Sequence, residues 1–496
     1  MQKVDIAIIG GGLAGFAAAM RAMDFGFTTM IIEKDQLGGA GITNGALSSK
    51  TFWEISMEYT AARRRSIVSG NGDFFIPFAD VVKEVNSAVG IRKNQLKIQL
   101  EYFEQEGTLK HMYGFGRITG KNEVTVETSS GKEVIECRNI IIATGSRPRY
   151  LPNLPIDEKI VVTSEGLGNW NEYPTSMVIV GAGVIGCEFA TIFSNFGRTR
   201  VNLIDRGGRI LPIEDEEIAK NVERNLEANG STIHRHSTLK RMEIKNGMVE
   251  YELDYEDGGS KVFHVQKALV SVGRVANWEN MGLKEIGLTI DDRGNCQDDD
   301  TQMNIPNIYA VGDITADLAL VNVGEVEGRH AVEKIAGENP AKLRYDNIST
   351  IMFLNPEVAG VGMNEITAQK NGKPYRVVTL GYDCIPRAIA KRNTDGFFKI
   401  LVTDDQEMKI LGMRAMGEEA SAAIQAVSLL ISMDCGIGAL AELLHPHPSI
   451  IEGIQECARM LKGKSILKPG TFKKTMSCRR WADGKYDPLY GVPEKA

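Results

Sequence analysis

Two glycine-rich turns in this chain have the spacing that binds the phosphates of a dinucleotide. The first follows the mostly apolar residues 4–9. Gly10 permits a tight turn, Gly12 lets a pyrophosphate approach the backbone, and Gly15 lets helix and strand pack closely. The helix that follows offers free N–H groups and a positive dipole to phosphates. Glu33, at the end of the next predicted strand, is placed to bind ribose hydroxyls. We therefore expect a dinucleotide site here rather than a chance glycine turn.

The same pattern recurs near the middle of the chain. Gly181, Gly183 and Gly186 follow the apolar residues 177–180, and Asp205 ends the next predicted strand. An acid at that position hydrogen-bonds the ribose 2′-hydroxyl and repels a 2′-phosphate. The second site is therefore expected to prefer NAD over NADP.

Two arginines qualify this preference. Arg206 and Arg209 lie close to Asp205 in the sequence, where they would soften the preference by attracting a 2′-phosphate. The alternative is that both are surface arginines on a loop.

The elements that must position these sites are short apolar strands that end on glycine. Residues 140–145, 268–274 and 308–313 each have this form, and such turns return the chain toward a cofactor. Asp313, at a predicted strand end, is suited to hold the ribityl hydroxyls of a flavin. Taken singly, each segment is equally well read as a buried strand followed by a turn.

Length and composition exclude several classes of protein. A chain of 496 residues predicts about three domains. The net charge of −7 argues against nucleic acid or an anionic membrane as main partner, and no apolar run approaches a membrane span. Residues 1–3 lead directly into the first strand, which leaves no room for a signal peptide. Seven dispersed cysteines then indicate reduced thiols and a cytoplasmic location.

Together, these segments resemble the pyridine nucleotide-disulfide oxidoreductases, or flavoprotein disulfide reductases, over residues 4–465. The resemblance is to their dihydrolipoamide dehydrogenase-like members. It implies an α/β fold with two Rossmann-like dinucleotide-binding domains, for FAD and NAD, and a C-terminal α+β dimerisation domain. The implied domains are FAD-binding (1–148), NAD-binding (149–273), the second FAD-binding or central part (274–345), dimerisation (346–464) and a C-terminal tail (465–496).

The resemblance also assigns residues to the two cofactors. For FAD these are Gly10, Gly12, Gly15, Glu33, Lys34, Gly39, Lys50, Gly116, Thr144, Gly145, Asp313 and Val323. For NAD(H) they are Gly181, Gly183, Gly186, Glu188, Asp205, Arg206 and Gly273. No metal site is expected.

Two pairs of residues match the family's catalytic groups. Lys50 and Glu188 correspond to an ion pair beside the flavin, which implies live hydride transfer from NADH; the alternative is two solvated charges. His447 and Glu452 correspond to an acid/base histidine, which reaches across a homodimer, and the glutamate that orients it. The alternative for His447 is a structural histidine held between two prolines.

The family's redox-active cysteines are missing. In the family, the segment that matches residues 38–50 carries two cysteines, and Gly41 and Ala46 occupy their positions here. We expect the vacated space to form an acceptor pocket lined by Gly41, Ala46 and the partner subunit's His447. The alternatives are that the space has collapsed or holds water.

These observations predict an FAD-dependent NADH dehydrogenase, or diaphorase-like oxidoreductase, that passes electrons to a small molecule, a quinone-like compound or an electron-transfer protein. One alternative is a soluble pyridine nucleotide transhydrogenase. Another is a non-catalytic FAD/NAD-binding scaffold or redox-sensing dimer. The tail, with its basic cluster and Trp481, is interpreted as a surface-packed extension, the alternative being a docking element for a partner.

Overall fold

Parallel strands that run into glycine turns form the centre of the N-terminal half of the chain. The computed structural model describes residues 2–69 and 74–489. It divides into two units. Unit 1 comprises Met1–Gly181, Arg198–Arg200 and Thr238–Leu343, and unit 2 comprises Ala182–Gly197, Val201–Ser237 and Arg344–Ala496.

The helices and strands have the following bounds. The α-helices are α1 (Leu13–Asp24), α2 (Gly39–Ile42), α3 (Ala46–Ser69), α4 (Phe78–Gln105), α5 (Val184–Phe196), α6 (Glu216–Ala228), α7 (Val321–Ile335), α8 (Glu365–Lys370), α9 (Pro386–Lys391), α10 (Ala420–Ser432), α11 (Gly438–Glu442) and α12 (Glu452–Leu461). The strands are β1 (Gln2–Ile9), β2 (Thr29–Glu33), β3 (Leu109–Tyr113), β4 (Phe115–Gly120), β5 (Glu123–Thr128), β6 (Gly131–Ile142), β7 (Ser146–Pro148), β8 (Val161–Thr163), β9 (Ser176–Val180), β10 (Arg200–Ile204), β11 (Thr232–His234), β12 (Ser237–Lys245), β13 (Met248–Tyr255), β14 (Ser260–Val265), β15 (Lys267–Val270), β16 (Arg274–Ala276), β17 (Asp298–Asp299), β18 (Gln302–Met303), β19 (Ile308–Ala310), β20 (Thr350–Met352), β21 (Val358–Gly362), β22 (Tyr375–Gly381), β23 (Phe397–Thr403), β24 (Ile410–Met416), β25 (Met476–Ala482) and β26 (Lys485–Pro488).

The main sheet of unit 1 places the first glycine turn at its carboxyl edge. Its strand order is β17-β18-β19-β6-β1-β2-β3, and β5 joins β4 to β6. Strand β1 runs parallel to both neighbours, with Ile8 opposite Ile31 on β2 and Ile141 on β6. All three isoleucines are fully buried, as expected for a parallel sheet covered on both faces. The sheet therefore brings the ends of β1, β2, β6 and β19 to one edge.

Smaller parallel pairings carry the second glycine turn. In unit 1, β15 lies between β8 and β9 and is parallel to both. In unit 2, β10 and β11 pair in parallel, with Leu203 opposite Ile233. Helix α5 belongs to unit 2, and most of its residues are buried.

Unit 2 is built around an antiparallel sheet of seven strands, β20-β21-β24-β23-β22-β25-β26. Helix α10 packs on β21 and β24, and α12 packs on β22 and β23. The last two strands come from the segment interpreted as a surface-packed tail. Strand β25 pairs with β22 over six residues, and Trp481 stacks on Tyr375 with ring centroids 5.3 Å apart. Residues 476–488 therefore extend the sheet and bury Trp481, so this part of the tail is part of the domain rather than an extension packed on its surface.

Candidate functional site

The first glycine turn is shaped by close contacts with its own backbone. Gly10 has φ 115°, and a Cβ atom added there would lie 2.3 Å from the carbonyl oxygen of Ala143. A Cβ at Gly15 would lie 2.1 Å from the carbonyl oxygen of Gly10. At Gly12, by contrast, no described atom lies within 4 Å of the added Cβ. The turn is thus closed on the protein side and open where a pyrophosphate would approach.

Glu33, the last residue of β2, is hydrogen-bonded to this turn. Its side chain is buried, and its Oε2 accepts a hydrogen bond of 2.6 Å from the backbone N–H of Gly11. Its Oε1 accepts one of 2.7 Å from the N–H of Asp35. Lys34, between them, is exposed. The carboxylate is therefore held at the edge of the turn, where the sequence predicts ribose binding.

Asp313 lies in a hydrogen-bonded group that the sequence did not single out. The hydroxyl of Ser146 donates to Asp313 Oδ2 at 2.6 Å, and Arg274 Nε donates to Ser146 Oγ at 2.8 Å. Ser146 directly follows Gly145, so its place in the strand-turn segment was the available signal. Because these contacts orient the carboxylate, we add Ser146 and Arg274 to the candidate FAD site.

The other residues assigned to FAD lie in the same unit. Thr144 donates its hydroxyl hydrogen to the carbonyl oxygen of Asn277 at 2.7 Å. A Cβ at Gly39 would lie 3.2 Å from Gly12 Cα, so the segment 38–50 begins beside the glycine turn. Val323 is buried in the first turn of α7. The remaining two, Gly116 and Gly145, occupy β4 and the end of the segment that follows β6.

The second glycine turn repeats the geometry of the first. Within unit 1, Gly181 has φ 105°, and a Cβ there would lie 2.5 Å from the carbonyl oxygen of Ser271. The hydroxyl of Ser271, which the sequence did not single out, donates to the carbonyl oxygens of Val180 and Gly181. Gly273 follows on the same segment with φ 99°.

In unit 2, Gly183 leaves room for a nucleotide and Asp205 offers a carboxylate oxygen to it. No described atom lies within 4 Å of a Cβ added at Gly183, and Gly186 is buried in α5. Asp205 Oδ2 is buried and has no hydrogen-bond partner among the described residues. Burial, with the nearby Glu223, raises the pKa of Asp205. Arg206 is exposed.

These features fit one dinucleotide at each turn. An open face at Gly12 and at Gly183 provides the approach that phosphates need, and the start of α1 or α5 supplies the N–H groups. The unpaired Asp205 Oδ2 is the acceptor that a ribose hydroxyl requires. The donor and acceptor sets are those of dinucleotide sites.

Glu188 and Lys50 belong to different units. Glu188 is buried in α5, and its Oε1 accepts a hydrogen bond of 3.0 Å from the backbone N–H of Phe353. Lys50 Nζ donates to Ser49 Oγ at 3.3 Å. The Lys50–Glu188 ion pair stays a prediction.

Two aliphatic side chains lie close to Gly41 in the segment 38–50. A Cβ added there would lie 2.6 Å from Leu13 Cδ1 and 3.3 Å from Val321 Cγ2. Leu13 begins α1, and Val321 begins α7. Leu13 and Val321 therefore line the space beside Gly41, which is itself partly exposed, and the acceptor pocket stays a prediction. Ala46, the first residue of α3, is partly exposed.

His447 and Glu452 are brought together in unit 2. Nδ1 of His447 lies 2.8 Å from Glu452 Oε1, and Oε2 accepts a hydrogen bond of 2.8 Å from the N–H of Ser449. Burial acts to raise the pKa of Glu452, but the bonds from Ser449 and His447 outweigh it and lower that pKa. The carboxylate therefore remains charged near neutral pH and fixes the orientation of an exposed imidazole.

No disulfide is formed among the cysteines. All seven lie within the described residues and are free thiols, five of them buried. Burial raises the pKa of Cys137, Cys296 and Cys478 to about 12. Because the thiolate is the reactive form, these three are poor candidates for a replacement redox centre.

Comparison with known proteins identifies the family of this chain. The family model described as pyridine nucleotide-disulphide oxidoreductase matches residues 4–331, and the model of that family's dimerisation domain matches residues 348–458. The chain belongs to this family. Its relatives include the dihydrolipoyl dehydrogenase of Bacillus subtilis, which is 32% identical over 475 residues, covering 94% of this chain and 99% of the relative. The mitochondrial dihydrolipoyl dehydrogenase of Homo sapiens is 31% identical over 473 residues, covering 93% and 91%.

Solved structures share the fold. LpdA from Mycobacterium tuberculosis superposes with a TM-score of 0.84 at 24% identity, covering 93% of this chain and 100% of that chain. The HOCl-induced flavoprotein disulfide reductase RclA from Escherichia coli superposes with a TM-score of 0.82 at 24% identity, covering 92% and 100%.

Family membership confirms several expectations. The protein has the predicted α/β fold with a C-terminal dimerisation domain, and it is an FAD-dependent oxidoreductase that uses NAD(H). The dimerisation domain supports the predicted homodimer. Within residues 2–69 and 74–489, none of the helices combines the length and apolar character of a membrane span.

Proposed function

We propose that this flavoprotein passes electrons from NADH, through FAD, directly to an acceptor that is not a disulfide. The observation that supports this most is that residues 38–50 contain no cysteine and aliphatic side chains lie against Gly41, while both dinucleotide turns are open and His447 is bonded to Glu452. The acceptor would be a small molecule, a quinone-like compound or an electron-transfer protein.

The proposed roles follow from the chemistry of the side chains. Bound FAD would supply a two-electron carrier between the nicotinamide and the acceptor. Lys50 and Glu188 would align the nicotinamide. The positive charge of Lys50 would stabilise negative charge on reduced FAD. Asp205 would hold the adenosine ribose of NADH and disfavour a 2′-phosphate.

His447 would handle the proton that accompanies electron transfer. Its Nδ1 is bonded to Glu452, so Nε2 is the nitrogen available to exchange a proton with an acceptor. We propose that the acceptor binds beside Ala46, facing the partner subunit's His447, with Leu13 and Val321 as an aliphatic wall where the family has a thiol.

Anaerobic reduction of the purified holoenzyme by NADH tests this function. The yellow flavin absorbance should bleach within one turnover, and a quinone or a dye acceptor should restore it. Oxidised lipoamide, glutathione and thioredoxin should not restore it, since residues 38–50 contain no cysteine. FAD that binds but is never reduced by NADH would instead favour a scaffold, and reduction of thio-NAD by NADPH would favour a transhydrogenase.

A further inference from the structure

A fully buried lysine lies at the centre of unit 2. Lys399, on β23, has no exposed side-chain surface, and its Nζ donates to Asp215 Oδ2 at 3.0 Å and to Glu365 Oε2 at 2.8 Å. It also pairs with Glu217. The three carboxylates lie close enough to hold a metal ion, but the ammonium group of Lys399 occupies the space among them. The group is therefore an ion cluster that ties α6 and α8 to the sheet.

The last strand of the chain reaches this cluster. The hydroxyl of Tyr486, on β26, donates to Glu365 Oε1 at 2.7 Å, and Tyr375 donates to the same oxygen at 3.0 Å. Gln369 Nε2 donates to the Tyr486 hydroxyl oxygen at 2.8 Å. The two tyrosines bond Oε1 of Glu365 and Lys399 bonds Oε2, so the carboxylate is held at both oxygens. Tyr486 lies beyond residue 458, where the match to the dimerisation domain ends.

The other side of the cluster leads to the second glycine turn. Asp215 precedes α6, and its Oδ1 accepts a hydrogen bond of 3.0 Å from the N–H of Glu365. The loop before it is fixed in turn: the N–H of Glu214 donates to Leu211 O, and the N–H of Leu211 donates to Ala182 O, each at 3.0 Å. Ala182 adjoins Gly183, and the loop begins at Asp205.

We propose that residues 476–488 act as a clamp on the NAD site, in which Tyr486 holds Glu365, Glu365 and Lys399 hold Asp215, and Asp215 ends the loop 205–215. Tyr486 is then a positioning residue: without its hydroxyl, Glu365 and Asp215 are held less firmly, and the loop that presents Asp205 to the ribose becomes less well ordered. The inference rests on the proposed assignment of NAD to the second glycine turn.

Titration of oxidised, FAD-loaded enzyme with NAD⁺ in a calorimeter tests the clamp. Tyr486→Phe should weaken binding about three- to ten-fold, less than the full effect of losing a hydrogen bond to a charged group, because the loss reaches the NAD site only through Glu365 and Asp215. Lys485→Gln, on the same strand with an exposed side chain, is the matched control and should bind as the wild type does. FAD content and melting temperature are measured on each variant. A Tyr486→Phe enzyme with a lower melting temperature but unchanged NAD⁺ affinity would overturn the proposal, because its role would then be structural alone.

A double-mutant cycle tests the route through Asp215. If Tyr486 acts through Asp215, the Tyr486→Phe/Asp215→Asn enzyme should bind NAD⁺ no more weakly than Asp215→Asn alone. Fully additive losses would exclude this route. The result is independent of the electron acceptor: an enzyme that reduces no quinone or dye would contradict the proposed function, while the affinity shift would still support the clamp.

Discussion

The segment 38–50 and the loop 445–452 both match segments that carry reactive side chains in the family, but this chain lacks the cysteines of the first and has the histidine and glutamate of the second. In the first, Gly41 has no side chain, and Leu13 with Val321 fills the adjoining space. In the second, the His447–Glu452 pair keeps a hydrogen bond of 2.8 Å. Under the proposed function, electron transfer to the acceptor would no longer need a thiol relay, while His447 and Glu452 would still transfer the proton.

The difference at Gly41 involves the packing of neighbouring side chains as well as the loss of two sulfur atoms. An empty cavity beside Gly41 would leave its lining without contact partners and would lower stability. Leu13 and Val321 supply those partners. A cysteine returned to position 41 would therefore contact Leu13 and would require that side chain to move, whereas the loop 445–452 needs no change.

Restoring the cysteines is expected to have the largest effect on the difference between the two regions. In the variant Gly41→Cys/Ala46→Cys a Cβ at residue 41 would lie 2.6 Å from Leu13 Cδ1, so the disulfide should form only to the extent that the Leu13 side chain moves aside. Adding Leu13→Ala should let the disulfide form and should raise reduction of oxidised lipoamide by NADH from background to a measurable rate. Thiol titration before and after NADH measures the first effect. Leu13→Ala alone is the control, and equal disulfide formation with and without it would show that Leu13 is no obstacle.

Removing the imidazole is expected to have the next largest effect. His447→Gln should lower turnover with a quinone acceptor by roughly 10²- to 10⁴-fold, the usual contribution of a general acid or base. The rate at which NADH bleaches the flavin should not change, since hydride transfer requires no group at His447. Stopped-flow absorbance separates the two steps. Glu442→Gln, whose exposed carboxylate bonds Lys464, is a control for a charge change nearby in the sequence. Equal turnover in His447→Gln and wild type would contradict the proposed acid/base role.

The sequence predicted best those features that the backbone alone determines. The spacing of Gly10, Gly12 and Gly15 fixes a turn that tolerates no side chain at two positions and leaves the third open, and the structure has this form. His447 and Glu452 were paired through the resemblance to the family, and the start of α12 brings them into contact.

Packing between segments that are distant in the sequence could not be predicted. From the sequence, Leu13 is one apolar residue of a predicted helix. Its contact with Gly41 depends on how α1 packs against α2. The tail has the same character: Met476, Cys478 and Trp481 are buried only because β22 has an edge that accepts another strand. Lysine side chains are usually exposed, and Lys399 is buried only because three carboxylates from two segments, at the starts of α6 and α8, surround its ammonium group.

The smallest effect expected is a pH-dependent contribution of Glu452 to stability. Its pKa is lowered in the folded protein: burial opposes the charge, but the bonds from Ser449 and His447 prevail. A lowered pKa gives a contribution that is fully present above the unfolded value of about 4.3 and is lost as pH falls through the lower folded value. Glu452→Gln should therefore unfold at lower denaturant concentration than wild type at about pH 7, and the difference should shrink toward about pH 3.5. A difference that stays constant or grows as pH falls would show that the charge on Glu452 does not hold this loop, and the contrast with the segment 38–50 would then rest on His447 alone.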